Sequence, residues 1–212
     1  MKAGKNMKTA SLEEQLQTTS VTRLLVRLSL PATAAQMVSA LYSVVDRIYI
    51  SHIPDIGTDA LAGLGLCFPL IMLNTAISLL IASGSSALST IKMGEGKNDE
   101  ASRLLNGGFT LLVVTGVMLM VLLYAFLRPM LMFFGGSANT LPYAVEYMKI
   151  YIAGTIAGQV SLGMNYFINS QGYTRTGMIS VVCGAVANII LDPILIFGFN
   201  MGIKGAAIAT VI

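Results

Sequence analysis

Apolar residues fall in six blocks, at about 24 to 52, 60 to 92, 104 to 127, 143 to 170, 177 to 199 and from 203 onward. A helix crosses a bilayer with roughly 20 apolar residues, so five of these blocks are long enough to span one. The sixth stops at Ile212, partway through such a run. Short polar or glycine-containing turns separate the blocks: PDIGTD, GEGKNDEASR, GGSANTLP, QGYTRT and NMGIKG. Loops this short leave no room for a soluble domain. The expected fold is an all-α integral membrane protein, a six-helix transmembrane bundle over 24–212 with a truncated sixth helix and a polar N-terminal tail over 1–23.

Composition supports this. Hydrophobic residues make up 55% and charged residues 11% of the chain, against about a quarter charged in a soluble domain. The net charge of +3, with no basic cluster interleaved with aromatics, argues against nucleic acid as a partner. The bilayer is the first partner expected. The opening MKAGKNMKTASLEEQLQTTS is polar for too long to be a secretory signal. Its Glu13 and Glu14, with Arg23 and Arg27, suit a short amphipathic helix on the membrane surface, or disorder up to about Thr18.

Lysine and arginine are unevenly placed. The tail, the second loop and the fourth loop together carry nine (Lys2, Lys5, Lys8, Arg23, Arg27, Lys92, Lys97, Arg103 and Arg175), and the opposite loops only Arg128 and Lys204. The positive-inside rule then puts the N-terminus in the cytoplasm of a multi-pass inner or plasma membrane protein.

Against this background two acids stand out. Asp46 and Asp192 each interrupt an apolar block, where a carboxylate costs about 2.5 to 3.5 kcal/mol on insertion scales. At about 1.5 Å per residue, Asp46 lies roughly 9 Å, Asp192 roughly 12 Å and Thr210 roughly 10 Å from the outer ends of their spans. All three can share one layer if their helices are neighbours. Tyr42 precedes Asp46 by four residues and Asn188 precedes Asp192 by four, so each pair shares a helix face. Pro193 frees the carbonyl of Ile189 as a further oxygen. Such hard oxygen donors suit a proton or sodium, not zinc. The structural alternative is that these groups merely pair, as Asp46 with Arg47 at the membrane surface. Arg47, however, points about 100° away around the helix, its stem free to snorkel outward.

Other polar residues are less specific. Gln36 in the first span and Gln159, Asn165 and Asn169 in the fourth are candidates to line a pathway. Ser78, Ser83, Ser85, Ser86 and Ser89 stud the second. Gly154 and Gly158 have the spacing of close helix contact. Cys67 and Cys183 read as small buried hydrophobes, and His52 as a loop residue. The 13 methionines, with Tyr42, Tyr166, Phe167 and Phe68, would make an adaptable wall for varied apolar ligands.

The segments LPATAAQMVSALYSVVDRIYISHI, ALAGLGLCFPLI, GEGKNDEAS, QGYTRTG and NIILDPILIFGFNMGIKGAAIAT together resemble the multidrug and toxic compound extrusion (MATE) transporters. These belong to the larger multidrug, oligosaccharidyl-lipid and polysaccharide exporter group. The resemblance runs from about Thr19 and is to the N-terminal lobe of a twelve-helix, two-lobe fold, the C-terminal lobe being absent. It implies an antiporter, not an enzyme, that expels organic cations and amphiphilic drugs in exchange for protons or sodium, with no organic cofactor. In relatives of the prokaryotic type the coupling ion sits at positions matching Asp46, Asn188, Asp192 and Thr210, which would be sodium ligands if sodium couples. The nearest rival is a lipid-linked saccharide flippase of the same superfamily, which would need a more basic cavity than Arg47 and Lys149 provide. A transport-inactive half is another. An intramembrane aspartyl protease would show a Gly-x-Gly-Asp type motif, and VVDRIY and ILDPI lack one.

Overall fold

The computed structural model describes residues 21–212, and the tail reading over 1–20 lies outside them. Helix α1 spans Val21–Ser51, α2 Gly57–Gly94 and α3 Asn98–Phe133. The shorter α4 (Leu141–Ala153) and α5 (Thr155–Ser170) follow, then α6 (Thr174–Pro193) and α7 (Ile203–Val211). Among the described residues there is no strand. The all-α expectation holds among the described residues.

Four stretches are long and apolar enough to cross a membrane: Leu28–Ser51, Gly57–Gly94, Asn98–Phe133 and Thr174–Gly198. The fourth apolar block departs from the expected single helix. It breaks at Gly154, whose N–H contacts the carbonyls of both Ile150 and Tyr151. A side chain on Gly154 would meet Val211 of α7, so the break lies where α7 packs closely. Gly158 has open space around its α-carbon, so only one of the two glycines serves close contact.

Helix α6 does not end at its proline. Pro193 has no N–H to donate, and the chain widens into a π turn over Ile194–Gly198, with Phe199 N–H bonding to Ile194 O at 2.8 Å. Asn200 and Gly202 then take left-handed φ values of 56° and 57°, which reverse the chain into α7. The α-carbon of Gly205 lies against the backbone of Leu195 and Ile196. This seats α7 directly on the π turn.

Helix α1 packs mainly on α6, α2 on α3 and α5, and α4 on α7. The apolar core gathers at one end of the bundle around Ile50, Leu70, Leu123, Leu131, Met148, Ile152, Ile196 and Ile203. Along α1, by contrast, Leu25, Leu30, Met37, Leu41 and Val44 are exposed. An ion pair at 3.3 Å joins Lys204 of α7 to Glu146 of α4. At the α2–α3 turn Lys92 reaches Glu95 and Glu100 at 3.0 and 3.3 Å, and Lys97 reaches Glu95 at 2.9 Å. The Lys97 and Lys92 ammoniums hold the Glu95 carboxyl below its ordinary range. Exposed pairs of this kind add little stability and serve mainly to order the turn.

The Gly205 contact makes a paired prediction. Gly205→Ala forces a methyl into backbone atoms and should cost about 1 to 3 kcal/mol, whereas Gly158→Ala should be neutral or slightly stabilising. Thermal unfolding of the detergent-solubilised variants reads both, and equal melting of the two would contradict this packing.

Candidate functional site

Helices α1 and α6 lie face to face, and the i, i+4 spacing carries Asn188 and Asp192 to the side of α6 that meets Asp46 of α1. The three are buried, at 8% exposure for Asp46, 5% for Asn188 and 0% for Asp192. The carboxyl groups of Asp46 and Asp192 are near enough across the α1–α6 contact to act on each other electrostatically. Yet Asp46 Oδ1, both carboxyl oxygens of Asp192 and both polar atoms of the Asn188 amide have no hydrogen-bond partner. Each unpartnered buried polar atom costs about 1 to 3 kcal/mol, and a buried unpaired charge more. A shared proton or a small cation between these groups would relieve that cost.

Thr210 of α7 is half-buried and stands on the same side of the bundle. Its Oγ1 donates to Ala206 O at 2.9 Å and accepts from the Tyr147 hydroxyl at 3.5 Å. Tyr147, 3% exposed, is on α4 and stacks on Tyr151 with ring centroids 6.4 Å apart. The donor set is therefore two carboxylates, an amide and a hydroxyl. No group of three or more His, Cys, Asp or Glu side chains suited to a metal occurs among the described residues. All-oxygen donors of this kind fit a proton or a hard cation such as sodium.

A cavity of about 1040 Å³ opens beside these groups. Gln36, Tyr42, Asp46 and Thr210, all singled out from the sequence, line it, while Asn188 and Asp192 lie behind the wall. Asp46 thus belongs to both compartments. Phe68, Met72, Tyr147, Tyr151 and Tyr166 supply the aromatic and apolar surface.

Three residues expected on the pathway have other work. Gln159, 1% exposed, is absent from the cavity wall. Its Nε2 donates to Asn74 Oδ1 at 2.7 Å and its Oε1 accepts from Thr115 at 3.3 Å, while Asn74 donates to the Tyr151 hydroxyl at 3.5 Å. Asn165 donates to Gly177 O at 3.0 Å and Asn169 to Asn165 Oδ1 at 2.7 Å, joining α5 to α6. A partner within reach drew each amide into the packing: Asn74 and Thr115 on neighbouring helices for Gln159, Gly177 O on α6 for Asn165, and Asn165 one turn back for Asn169. The serines of α2 behave likewise: Ser78 donates to Asn74 O, Ser86 to Ser83 O and Ser89 to Ala101 O. Cys67 is buried as expected, but Cys183 is exposed, because α6 turns its other face to α1.

Sequence reading passed over Tyr147, Tyr151 and Asn74. The signals were present: Tyr147 and Tyr151 are four apart, and Asn74 is a lone amide in an apolar block. Arg47 also lines the cavity instead of reaching only outward, with its guanidinium carbon 6.0 Å from the Phe68 ring centre.

Comparison with known families assigns this architecture. Residues 31–194 match the family model described as MatE. The chain belongs to the MatE family. Among its MatE-like relatives, the FAD transporter of Shewanella oneidensis is 30% identical over 192 residues, which cover 89% of this chain and 42% of that protein. The multidrug export protein MepA of Staphylococcus haemolyticus is 24% identical over 203 residues, 94% of this chain and 44% of that protein. A solved outward-facing multidrug resistance MATE transporter of the MOP superfamily superposes with a TM-score of 0.85 at 26% identity, covering 93% of this chain and 43% of its own. The chain therefore spans less than half the length of each of these MatE relatives, as one lobe of such a transporter would.

The Asn74–Gln159 amide pair is testable by a double-mutant cycle. Asn74→Leu or Gln159→Met alone strands a buried amide and should cost about 1 to 3 kcal/mol. Together they should cost clearly less than the sum, since neither amide is then stranded by loss of the other. Strictly additive losses in thermal unfolding would contradict the pairing.

Proposed function

We propose that this chain is the N-terminal lobe of a cation-coupled exporter of amphiphilic aromatic compounds, organic cations and drugs among them, in the cytoplasmic membrane. The observation that carries this is the cluster of unpartnered buried atoms on Asp46, Asn188 and Asp192 beside a cavity large enough for a drug-sized molecule. An acid pair that purely structural packing would have satisfied or excluded is instead held ready for a charge. Relatives named for multidrug export and for FAD transport agree with a cargo that is aromatic and amphiphilic.

In this reading a proton or sodium ion enters between Asp46 and Asp192, with Asn188 and Thr210 supplying neutral oxygens. Neutralising the acids removes the repulsion between the facing carboxylates and lets α1 settle more tightly on α6. Only a state that binds the ion better is favoured by it, so the ion shifts the lobe between two arrangements by its difference in affinity. Because Asp46 also faces the cavity, the same event lowers the hold on any positively charged group lodged there. Ion entry is thereby tied to cargo release. A second six-helix half would supply the opposing wall of the cavity, and two such halves rocking about it provide alternating access. The excess of lysine and arginine on one set of loops supports a cytoplasmic N-terminus in this reading.

Ethidium efflux from cells expressing the complete reading frame tests the proposal, with the proton and sodium gradients collapsed separately. Asp46→Asn and Asp192→Asn keep shape but remove the ionisable group, so each should abolish coupled efflux while membrane abundance stays normal. Undiminished efflux in either variant would refute the site, and collapse of one gradient alone would name the ion.

A further inference from the structure

On the side of the bundle away from the cavity, α3 and α4 bring two unbalanced cations together. No residue of α3 lines the cavity. Lys149 of α4 sits midway between Tyr147 and Tyr151, which do line it. Two positions along a helix rotate a side chain by about 200°, so Lys149 points to the opposite side, where it is exposed. The Tyr124 hydroxyl of α3 donates to Lys149 O at the seam where α3 packs on α4. Arg128 stands one turn beyond Tyr124 on the same face and is exposed as well. Among the described residues neither cation has an ion-pair partner. The chain carries no acid between Glu100 and Glu146, and Glu146 is taken by Lys204 at 3.3 Å.

Below Arg128 the exposed side of α3 is apolar. Val117, Val121, Tyr124 and Arg128 form one stripe along the helix, and nothing from Leu104 to Leu127 is charged. Arg128 lies about 8 Å and Lys149 about 12 Å from the end of the bundle at which α3 passes into α4. From that depth their stems lie along acyl chains while the charged heads reach the phosphate layer of a bilayer. Two cations without an acid, at the head of an apolar stripe, complement a phosphodiester with a hydrocarbon chain descending from it.

We propose that the α3–α4 seam binds an anionic phospholipid, with its phosphate between Arg128 and Lys149 and an acyl chain along Val117 and Val121. A zwitterionic lipid fits less well, because its own cation would stand beside two others. The site lies apart from the cavity and the acid pair and does not rest on the export reading.

Phosphatidylglycerol carrying a diazirine on its acyl chain makes the test, in phosphatidylcholine nanodiscs around the purified full-length protein. On illumination it should label the peptide containing residues 117–124 about tenfold more than the same diazirine on phosphatidylcholine, as read by mass spectrometry. Arg128→Gln with Lys149→Gln should bring the two lipids to equal labelling, with the phosphatidylcholine signal unchanged within about twofold. Arg128→Lys with Lys149→Arg keeps both charges and should keep most of the preference, which separates loss of charge from misfolding. Unlabelled phosphatidylglycerol should compete for the site and inorganic phosphate should not. Equal labelling by the two lipids, a preference that survives the double glutamine variant or is lost in the charge-conserving one, or displacement by inorganic phosphate alone would each overturn the proposal.

Discussion

Two carboxylates pressed together between apolar helices are the constraint on which the rest of this lobe turns. Asp46 and Asp192 are almost fully buried, and three of their oxygens lack a hydrogen-bond partner. In a low-dielectric interior the charged form of such a pair is strongly disfavoured unless something positive joins it. In the proposed reading, the packing of α1 on α6 depends on what occupies the site. Two neighbouring features suit a helix that must respond to that occupancy. Pro193 follows Asp192 directly, and a π turn follows Pro193, so the backbone beside the acid has irregular hydrogen bonding already built in.

Whether a polar side chain is satisfied separates its roles in this bundle. The amides of Asn74 and Gln159 pair with each other, and Asn165, held by Asn169 one turn along α5, bonds across to Gly177 O of α6. Such inter-helix bonds rigidify helix contacts where an apolar solvent offers no hydrophobic drive between helices, even though Asn169 Oδ1 is left without a partner. The acid site is open by comparison. Its donors and acceptors converge without completing one another, which is the arrangement expected of a place that receives a ligand.

The distribution of burial adds a second asymmetry. The tight core lies at one end, where α4, α7 and the π turn meet the ends of α1 and α3. Much of α1 is apolar and exposed in the lobe alone. The end of α1 around Ile50 is held in that core, while the rest of the helix rests on α6 and leaves an apolar face uncovered.

By itself the sequence determined the membrane class, the helical architecture, the polar turns and the acids of interest, since hydrophobic block length and an intramembrane carboxylate are local signals. The i, i+4 spacing also placed Asn188 with Asp192, and depth counting put Thr210 near their level. Only the tertiary structure decided which polar groups meet. Gln159 found Asn74 some 85 residues away, and Tyr147 reached Thr210 across 63. It also split the fourth block at Gly154, because α7 packs against that glycine, and it turned Arg47 toward the cavity and Cys183 outward. Hydrophobic patterning records which residues avoid water. Hydrogen-bond partners in an apolar interior are set by which helices become neighbours, and that information is not local to any one block.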